Sequence, residues 1–445
     1  MTRLERLAAL AEKGGAGAGA GGPTGPRREL DLGVHALDRM PEREPDRMPG
    51  REPDRMPGRV PDRVGRRGWL GGVAALGAVG CGPPPKGDTG PGGELRVGAY
   101  LSLSGEEAQF GVDTREGITL ATDETNAAGG VRERRVRVVY ADDKTDPYET
   151  AQKVRQLIDR EGALALLGEV ASGRSRVGGL VANQRGVPML TPSSTDARVT
   201  RGRPYVFRAC FTSEAQAGAA AAYLARSLGR RRAALLYAAQ DPYSSGLAAA
   251  FRRAAGPLGL PIVAEKGFPK GEKNFRTYLA QLTAPAPDVL YAPLYYTDMV
   301  PVARQARAAG APGSLFFGCD AWDADDLLRD AGEELEGALF TNHYALDAPW
   351  PSAARFVAAY RGRFGREPSG IAAQGYDAAL LLYDALRRAE PLDREGLRRA
   401  LGATRDFDGA TGSISIDAER NAKKAVLVVA VRGGRFRFHA AAPAS

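Results

Sequence analysis

Two short loops carry most of the side chains that could do chemistry. In one, the apolar run Val187–Leu190 leads straight into Thr191-Pro192-Ser193-Ser194-Thr195, four hydroxyls in five residues. In the other, the run 163–169 leads into EVASGRS (169–175), where Ser172, Gly173 and Ser175 open a helix-length segment. Hydroxyls and unbonded backbone N–H groups at the start of a helix attract anions such as carboxylates. Taken singly, each loop also reads as an ordinary helix cap or turn. Nucleophilic catalysis lacks its partners. The three histidines, His35, His343 and His439, offer Ser172 no credible base. The three cysteines, Cys81, Cys210 and Cys319, are singletons without metal-ligand spacing, and neither GxSxG nor a phosphate-binding GxxxxGK[ST] is present. The residues point to binding rather than catalysis, with no cofactor and no metal.

The elements around these loops alternate. Short β-rich runs at 94–101, 135–142, 163–169 and 187–190 are separated by amphipathic segments near 112–127 and 147–162 and by one ending near Gln184. After 205–211 the alternation restarts, with helix patterns at 214–229 and 244–259 and strand patterns at 233–238, 261–268, 287–294 and 314–320. Repeated strand–helix–strand units imply parallel sheets covered on both faces, and two successive sets imply two similar α/β lobes joined near 208–213. The last third adds a strand at 336–344, helices near 351–364, 370–389 and 393–403, and strands at 412–417 and 425–432. Shared between the lobes, these make the chain cross more than once, which forms a hinge. The spacing predicts a first lobe of 94–211 with part of 336–404, and a second of 212–335 with part of 405–438. Ligands of open parallel sheets sit outside the carboxyl ends of the strands. Both hydroxyl loops occupy such ends, so they are expected to meet on one anion-friendly rim of the first lobe.

The 445 residues are 43% hydrophobic and 26% charged, the balance of a soluble globular protein with more than one core. The formal net charge of +8 is spread along the chain among nearly as many acids, which argues against a nucleic-acid partner. Residues 1–65 hold a Gly/Ala-rich run and octads such as EPDRMPGR at 44–51 and 52–59. That composition predicts a disordered extension, or a translation start placed too early, with Met56 as a later one. Residues 66–81 have the order of an export signal: basic Arg66 and Arg67, a weakly apolar Trp69–Val79, then Ala78-Val79-Gly80-Cys81. The run is short for a membrane span. Its end resembles a bacterial lipobox, with Ala78 where leucine is usual, which would make Cys81 the lipid-modified first residue of an exported protein. Residues 82–93 then form a flexible tether.

From Glu94 to Phe438 the chain resembles the type I periplasmic binding proteins of the leucine/isoleucine/valine-binding group. The likeness is carried by VGAYLSLSGEEAQFG, NAAGGVRERRVRVVYADDKTDP, LLGEVASGRS, PMLTPSST, DPYSSGLAAAF, YYTDMVPVARQARAAG, FGCDAWD, EGALFTNHY and QGYDAALLLYDALRRA, in that order. The resemblance implies a clamshell with an amino acid in an interlobe cleft. Ser172, Thr195 and the N–H groups around them would hold its carboxylate. The Ser193 carbonyl and Thr195 hydroxyl would take part of its ammonium group, with Asp298 or Asp320 as the opposing charge. Tyr243 and Phe110 would close over the ligand, and Trp322 and Tyr344 would stand in the wall. The implied partners are a branched-chain or related amino acid, the permease and ATPase of an ABC importer, and the membrane through the lipid. A sensory protein of the same fold, or a binder of amides, urea or aromatic acids, shares these features.

Overall fold

In the first sheet, β1 (Leu95–Leu101) buries every residue but Arg96, the pattern of a strand covered on both faces. The computed structural model describes residues 93–442; the octad extension, the leader with Cys81 and the tether before Gly93 lie outside the described residues. After β1 come α1 (Ala108–Ala127), β2 (Val136–Asp142), α2 (Pro147–Asp159), β3 (Ala165–Leu167), α3 (Ser172–Gln184), β4 (Met189–Thr191) and β5 (Val206–Arg208). The strands pair in parallel in the order β2-β1-β3-β4-β5. Local signals set the helix starts. At α2, Pro147 occupies the first turn, where its missing N–H costs nothing, and the Asp146 carboxylate accepts from the N–H groups of Tyr148 and Glu149.

The second sheet is built from α4 (Ser213–Ala222), β6 (Ala233–Ala238), α5 (Pro242–Ala255), β7 (Ile262–Phe268), α6 (Arg276–Thr283), β8 (Val289–Tyr291), α7 (Tyr296–Ala308), β9 (Phe316–Gly318), α8 (Asp325–Ala331) and β10 (Leu339–Asn342). The chain then adds α9 (Pro351–Phe364), α10 (Gly370–Arg388), α11 (Arg394–Gly402), β11 (Phe407–Gly409), β12 (Gly412–Ile416), β13 (Ala422–Lys423), β14 (Leu427–Arg432) and β15 (Arg435–Ala441). The sheet order is β15-β14-β10-β9-β8-β6-β7. Strands β6 to β10 are parallel, as the alternation predicts, while β14 and β15 join antiparallel through a two-glycine turn, Gly433-Gly434, with both residues at positive φ. Strands β11 to β13 form a small antiparallel sheet of their own.

Helix α10 lies along α1 at very close range. A Cβ on Gly117 would collide with the Ala372 carbonyl, and one on Gly375 would sit 2.6 Å from that of Thr114. The apolar side of α10, with Leu381, Leu382 and Tyr383, fills the core under β1. The C-terminal helices therefore complete the first lobe and β14–β15 the second, so the chain passes between lobes after β5, after β10 and after β13. The lobes meet in hydrogen bonds: Tyr296 Oη to the Glu106 carbonyl (3.2 Å), Arg198 Nη2 to the Pro242 carbonyl (3.1 Å) and the Asp326 N–H to Gln109 Oε1 (3.1 Å). Asp323, from the second lobe, accepts from Asn342 Nδ2 (2.5 Å) and, across the junction, from the Gly370 N–H at the start of α10 (3.0 Å). Glycine is required there because a Cβ would collide with Asp323 Oδ2. Gly370→Ala should push the carboxylate away at about 1–3 kcal/mol, the cost of overpacking. Small-angle scattering should then show a more open particle and calorimetry weaker ligand capture; an unchanged scattering profile would count against the latch.

Candidate functional site

Helix α3 begins buried and uncapped. Its N-cap is Ala171, which has no side chain to offer the first turn. The first N–H to bond back is that of Ser175, to the Ala171 carbonyl (3.0 Å). The N–H groups of Ser172, Gly173 and Arg174 have no acceptor among the described residues, and Ser172 is 1% exposed. A buried helix start of this kind is a concentrated positive pole. Arg174 adds nothing to it, because its guanidinium is held by Glu107 (2.6 Å) and Glu169 (3.1 Å).

The two hydroxyl loops meet as expected. Ser172 Oγ accepts from the Asp196 N–H (3.3 Å). Thr191 Oγ1 donates to the Glu169 carbonyl (2.6 Å). Ser194 turns its hydroxyl into the lobe, toward the Val170 carbonyl (2.8 Å) and Ser175 Oγ (2.6 Å). Thr195 Oγ1 shares a hydrogen bond with Ser213 Oγ at the first interlobe crossing (2.9 Å), and the buried Ser193 Oγ has no partner among the described residues.

The opposite pole stands at the carboxyl end of β9. Asp320 is 4% exposed. Its Oδ1 accepts from Tyr243 Oη (2.6 Å) and Gln216 Nε2 (2.6 Å), and its Oδ2 lies 3.4 Å from His343 Nε2. Burial, together with the charge of Asp320, pushes the Tyr243 hydroxyl well above its ordinary pKa, so it stays a donor. His343 stacks on Phe211 at 3.5 Å between ring centroids, and burial holds its pKa down to about 4, so it is neutral near pH 7. Among the described residues no lysine or arginine pairs with Asp320. The carboxylate is thus buried, oriented by neutral donors and without a counter-cation.

Aromatic rings join the two walls. Phe110 of the first lobe packs on Tyr296 (4.9 Å) and Tyr295 (6.1 Å) of the second, and Tyr295 stacks on Tyr243 (5.1 Å, 29°). The first turn of α3 faces the first turn of α5 at contact distance, since a Cβ on Gly173 would lie 3.9 Å from Pro242. Hydrogen bonds and ring contacts thus link Ser172 to the loop of Ser193 and Thr195 on one side, Asp320 to Tyr243 on the other, and Phe110 across to Tyr295 beside Tyr243. The other candidates are placed elsewhere. Asp298, in the first turn of α7, is half-buried and has Lys273, Glu107, Glu106 and Lys270 as its charged neighbours; burial raises its pKa. Trp322 packs inside the second lobe against Gly318 and Phe340 (6.0 Å). Tyr344 packs edge-on against Phe356 of α9 (6.0 Å, 86°). Sequence reasoning missed Ser213, Gln216, Tyr295 and His343. Tyr295 follows the carboxyl end of β8, where the same strand-end rule would have found it, and Gln216 is the lone amide in an alanine-rich helix.

Cys210 and Cys319 are buried free thiols, and among the described residues no group of three or more His, Cys, Asp or Glu could hold a metal ion. Two α/β lobes, three crossings and a polar cleft closed between them define a two-lobed solute-binding protein. The sequence profile of the periplasmic binding protein family matches residues 94–435, and the chain belongs to that family, in its Leu/Ile/Val-binding group, a binding family rather than an enzyme family. A leucine-binding protein from Thermotoga maritima superposes with a TM-score of 0.74 at 34% identity, over 78% of this chain and 98% of the other. A branched-chain amino acid transporter substrate-binding protein from Streptococcus pneumoniae, solved with isoleucine, gives a TM-score of 0.73 at 28% identity, over 79% and 100%. A leucine-, isoleucine-, valine-, threonine- and alanine-binding protein from Pseudomonas aeruginosa is 26% identical over 331 residues, 74% of this chain and 87% of the relative.

Proposed function

We propose that the protein captures a zwitterionic amino acid, branched-chain or related, in the interlobe cleft and delivers it to the permease and ATPase of an ABC importer. One observation supports this reading: among the described residues Asp320 is a buried carboxylate without a paired lysine or arginine, and the buried start of α3 has N–H groups without an acceptor. A free amino acid satisfies both, its carboxylate at Ser172–Arg174 and Thr195 and its ammonium at Asp320. Such charge-assisted bonds are strong where water is excluded. An aromatic acid without an amine would leave Asp320 buried and unpaired, and a neutral amide or urea would offer the helix start a carbonyl acceptor without its charge and bring Asp320 no cation. The amino acids named for the relatives from Thermotoga, Streptococcus and Pseudomonas support the same class. A thermal-shift screen of the purified protein against the common L-amino acids tests it. A ligand at a hundred times its dissociation constant should add about 2.7 kcal/mol of stability. A screen in which only aromatic acids or amides stabilise the protein would sink the reading.

The protein acts outside the cytoplasmic membrane, and we infer that a lipid on Cys81 holds it there. Among the described residues no helix is long and apolar enough to cross a membrane. The order of Ala78-Val79-Gly80-Cys81 after a basic, apolar leader supports the lipid. Wild-type protein should partition into detergent and Cys81→Ser should not; wild type recovered wholly in the aqueous phase would refute the anchor.

A further inference from the structure

Arg208, the last residue of β5, is fully buried, and its guanidinium forms no ion pair among the described residues. Uncompensated charge is expensive to bury, so its position calls for a reason. The guanidinium reaches under the TPSST loop. Nη1 donates to the Ser194 carbonyl (2.6 Å), and Nη2 donates to the Asp196 carbonyl (2.7 Å) and Thr200 Oγ1 (3.3 Å). These carbonyls lie on either side of Thr195. A trans peptide holds its C=O and N–H in opposite directions. With the Ser194 carbonyl turned down to Arg208, the Thr195 N–H points away from the guanidinium, and it has no acceptor among the described residues. The same loop is tied to the start of α3 through the Asp196 N–H and Ser172 Oγ.

We propose that Arg208 is a positioning residue for recognition of the ligand carboxylate: it clamps the Ser194–Thr195 and Asp196–Ala197 peptides, aims the Thr195 N–H into the cleft, and polarises the Ser194–Thr195 peptide so that a buried cation acts on the ligand's anionic end without touching it. Among the described residues, Arg208 is then a buried cation without an ion pair behind the proposed carboxylate end, and Asp320 a buried carboxylate without a lysine or arginine partner at the proposed ammonium end. This inference rests on the amino-acid reading above and names a residue that reading does not use. The loop clamp itself is a property of the ligand-free chain.

The test uses the full chain with Arg208→Gln, which removes the charge and the fork, and Arg208→Lys, which keeps the charge but cannot bridge both carbonyls. Calorimetry is run with L-leucine and with L-leucinol, which keeps the ammonium group and lacks the carboxylate. Arg208→Gln should weaken leucine about thirtyfold or more, with leucinol changed by no more than about threefold, so the preference for leucine collapses; Arg208→Lys should fall between. Equal losses for both probes would reduce Arg208 to a structural part and overturn the proposal. Hydrogen exchange of the ligand-free proteins separates the two readings. The segment 193–197 should exchange about tenfold faster in Arg208→Gln, or in Arg208→Lys should the first variant not fold, while β1 and β4 keep their protection. Unchanged protection of 193–197 would overturn the clamp. Wild-type protein that binds neither probe would exclude leucine as the ligand, and the exchange result would still decide the role of Arg208.

Discussion

Asp320→Asn should cost the protein most of its ligand affinity while leaving it folded. In the proposed site the carboxylate is the charge-bearing partner of the ligand ammonium, beside the packed rings of Phe110, Tyr295 and Tyr243. Removing one member of a buried hydrogen-bonded charge pair costs about 2–5 kcal/mol, which is a dissociation constant weaker by about thirtyfold to several thousandfold. The asparagine oxygen can still accept from Tyr243 Oη and Gln216 Nε2, so the local packing survives. In the ligand-free protein the substitution also removes a buried charge that has no counter-cation, and its melting temperature should stay level or rise. A variant that binds within about twofold of wild type would show that the ammonium is held elsewhere, with Asp298 the first alternative.

Thr195→Val keeps the shape of the side chain and removes its hydroxyl. If that hydroxyl bonds the buried ammonium, affinity should fall by about 1.5–3 kcal/mol, the range for hydrogen bonds to charged groups. That is about a tenfold to hundredfold change. The variant also leaves Ser213 Oγ without its partner, so a small loss of stability accompanies it. Ser194→Ala is the control for affinity, since its hydroxyl points into the lobe and away from the cleft. It is no control for stability. The alternation of the loop predicts the direction of Ser194 but not its burial against the carbonyls of Glu169 and Val170, where losing the donor should cost about 1–3 kcal/mol. Calorimetry and thermal melts on the three proteins separate these effects. Equal affinity in Thr195→Val and wild type would reduce the loop to a turn.

The parts of this site that a reader can find in the sequence are those fixed by strand ends. Ser172, Thr195 and Asp320 each follow a short apolar run, and a parallel sheet delivers such residues to one edge whatever the side-chain details. Asp298 satisfies the same rule, yet in the first turn of α7 it has Lys273, Glu107 and Glu106 as its charged neighbours rather than the Tyr243 and Gln216 that hold Asp320. Which of two carboxylates faces a cleft depends on a helical rotation that spacing does not set. Trp322 and Tyr344 miss the gathered group for a related reason. Their neighbours, Gly318 and Phe356, offer flat surfaces inside each lobe. Gln216 and His343 bond or face Asp320 across gaps of 104 and 23 residues, and no local pattern announces such pairings. At the level of the fold, β14 and β15 are legible as strands, but their antiparallel addition to the second sheet follows from the tight Gly433-Gly434 turn and the third crossing, not from their composition.

In the proposed site two poles, the start of α3 and Asp320, hold the two charged ends of one amino acid. The most direct measurement is calorimetric titration of wild-type protein with the best amino acid from the thermal-shift screen, with its amide, and with the 2-oxo acid that replaces its ammonium by a carbonyl. The amide loses the carboxylate that α3 and Thr195 should hold, and the oxo acid loses the ammonium that Asp320 should hold. Both should bind at least about thirtyfold more weakly than the parent, because each leaves a buried pole unpaired. Either analogue binding as tightly as the amino acid itself would contradict the two-pole site.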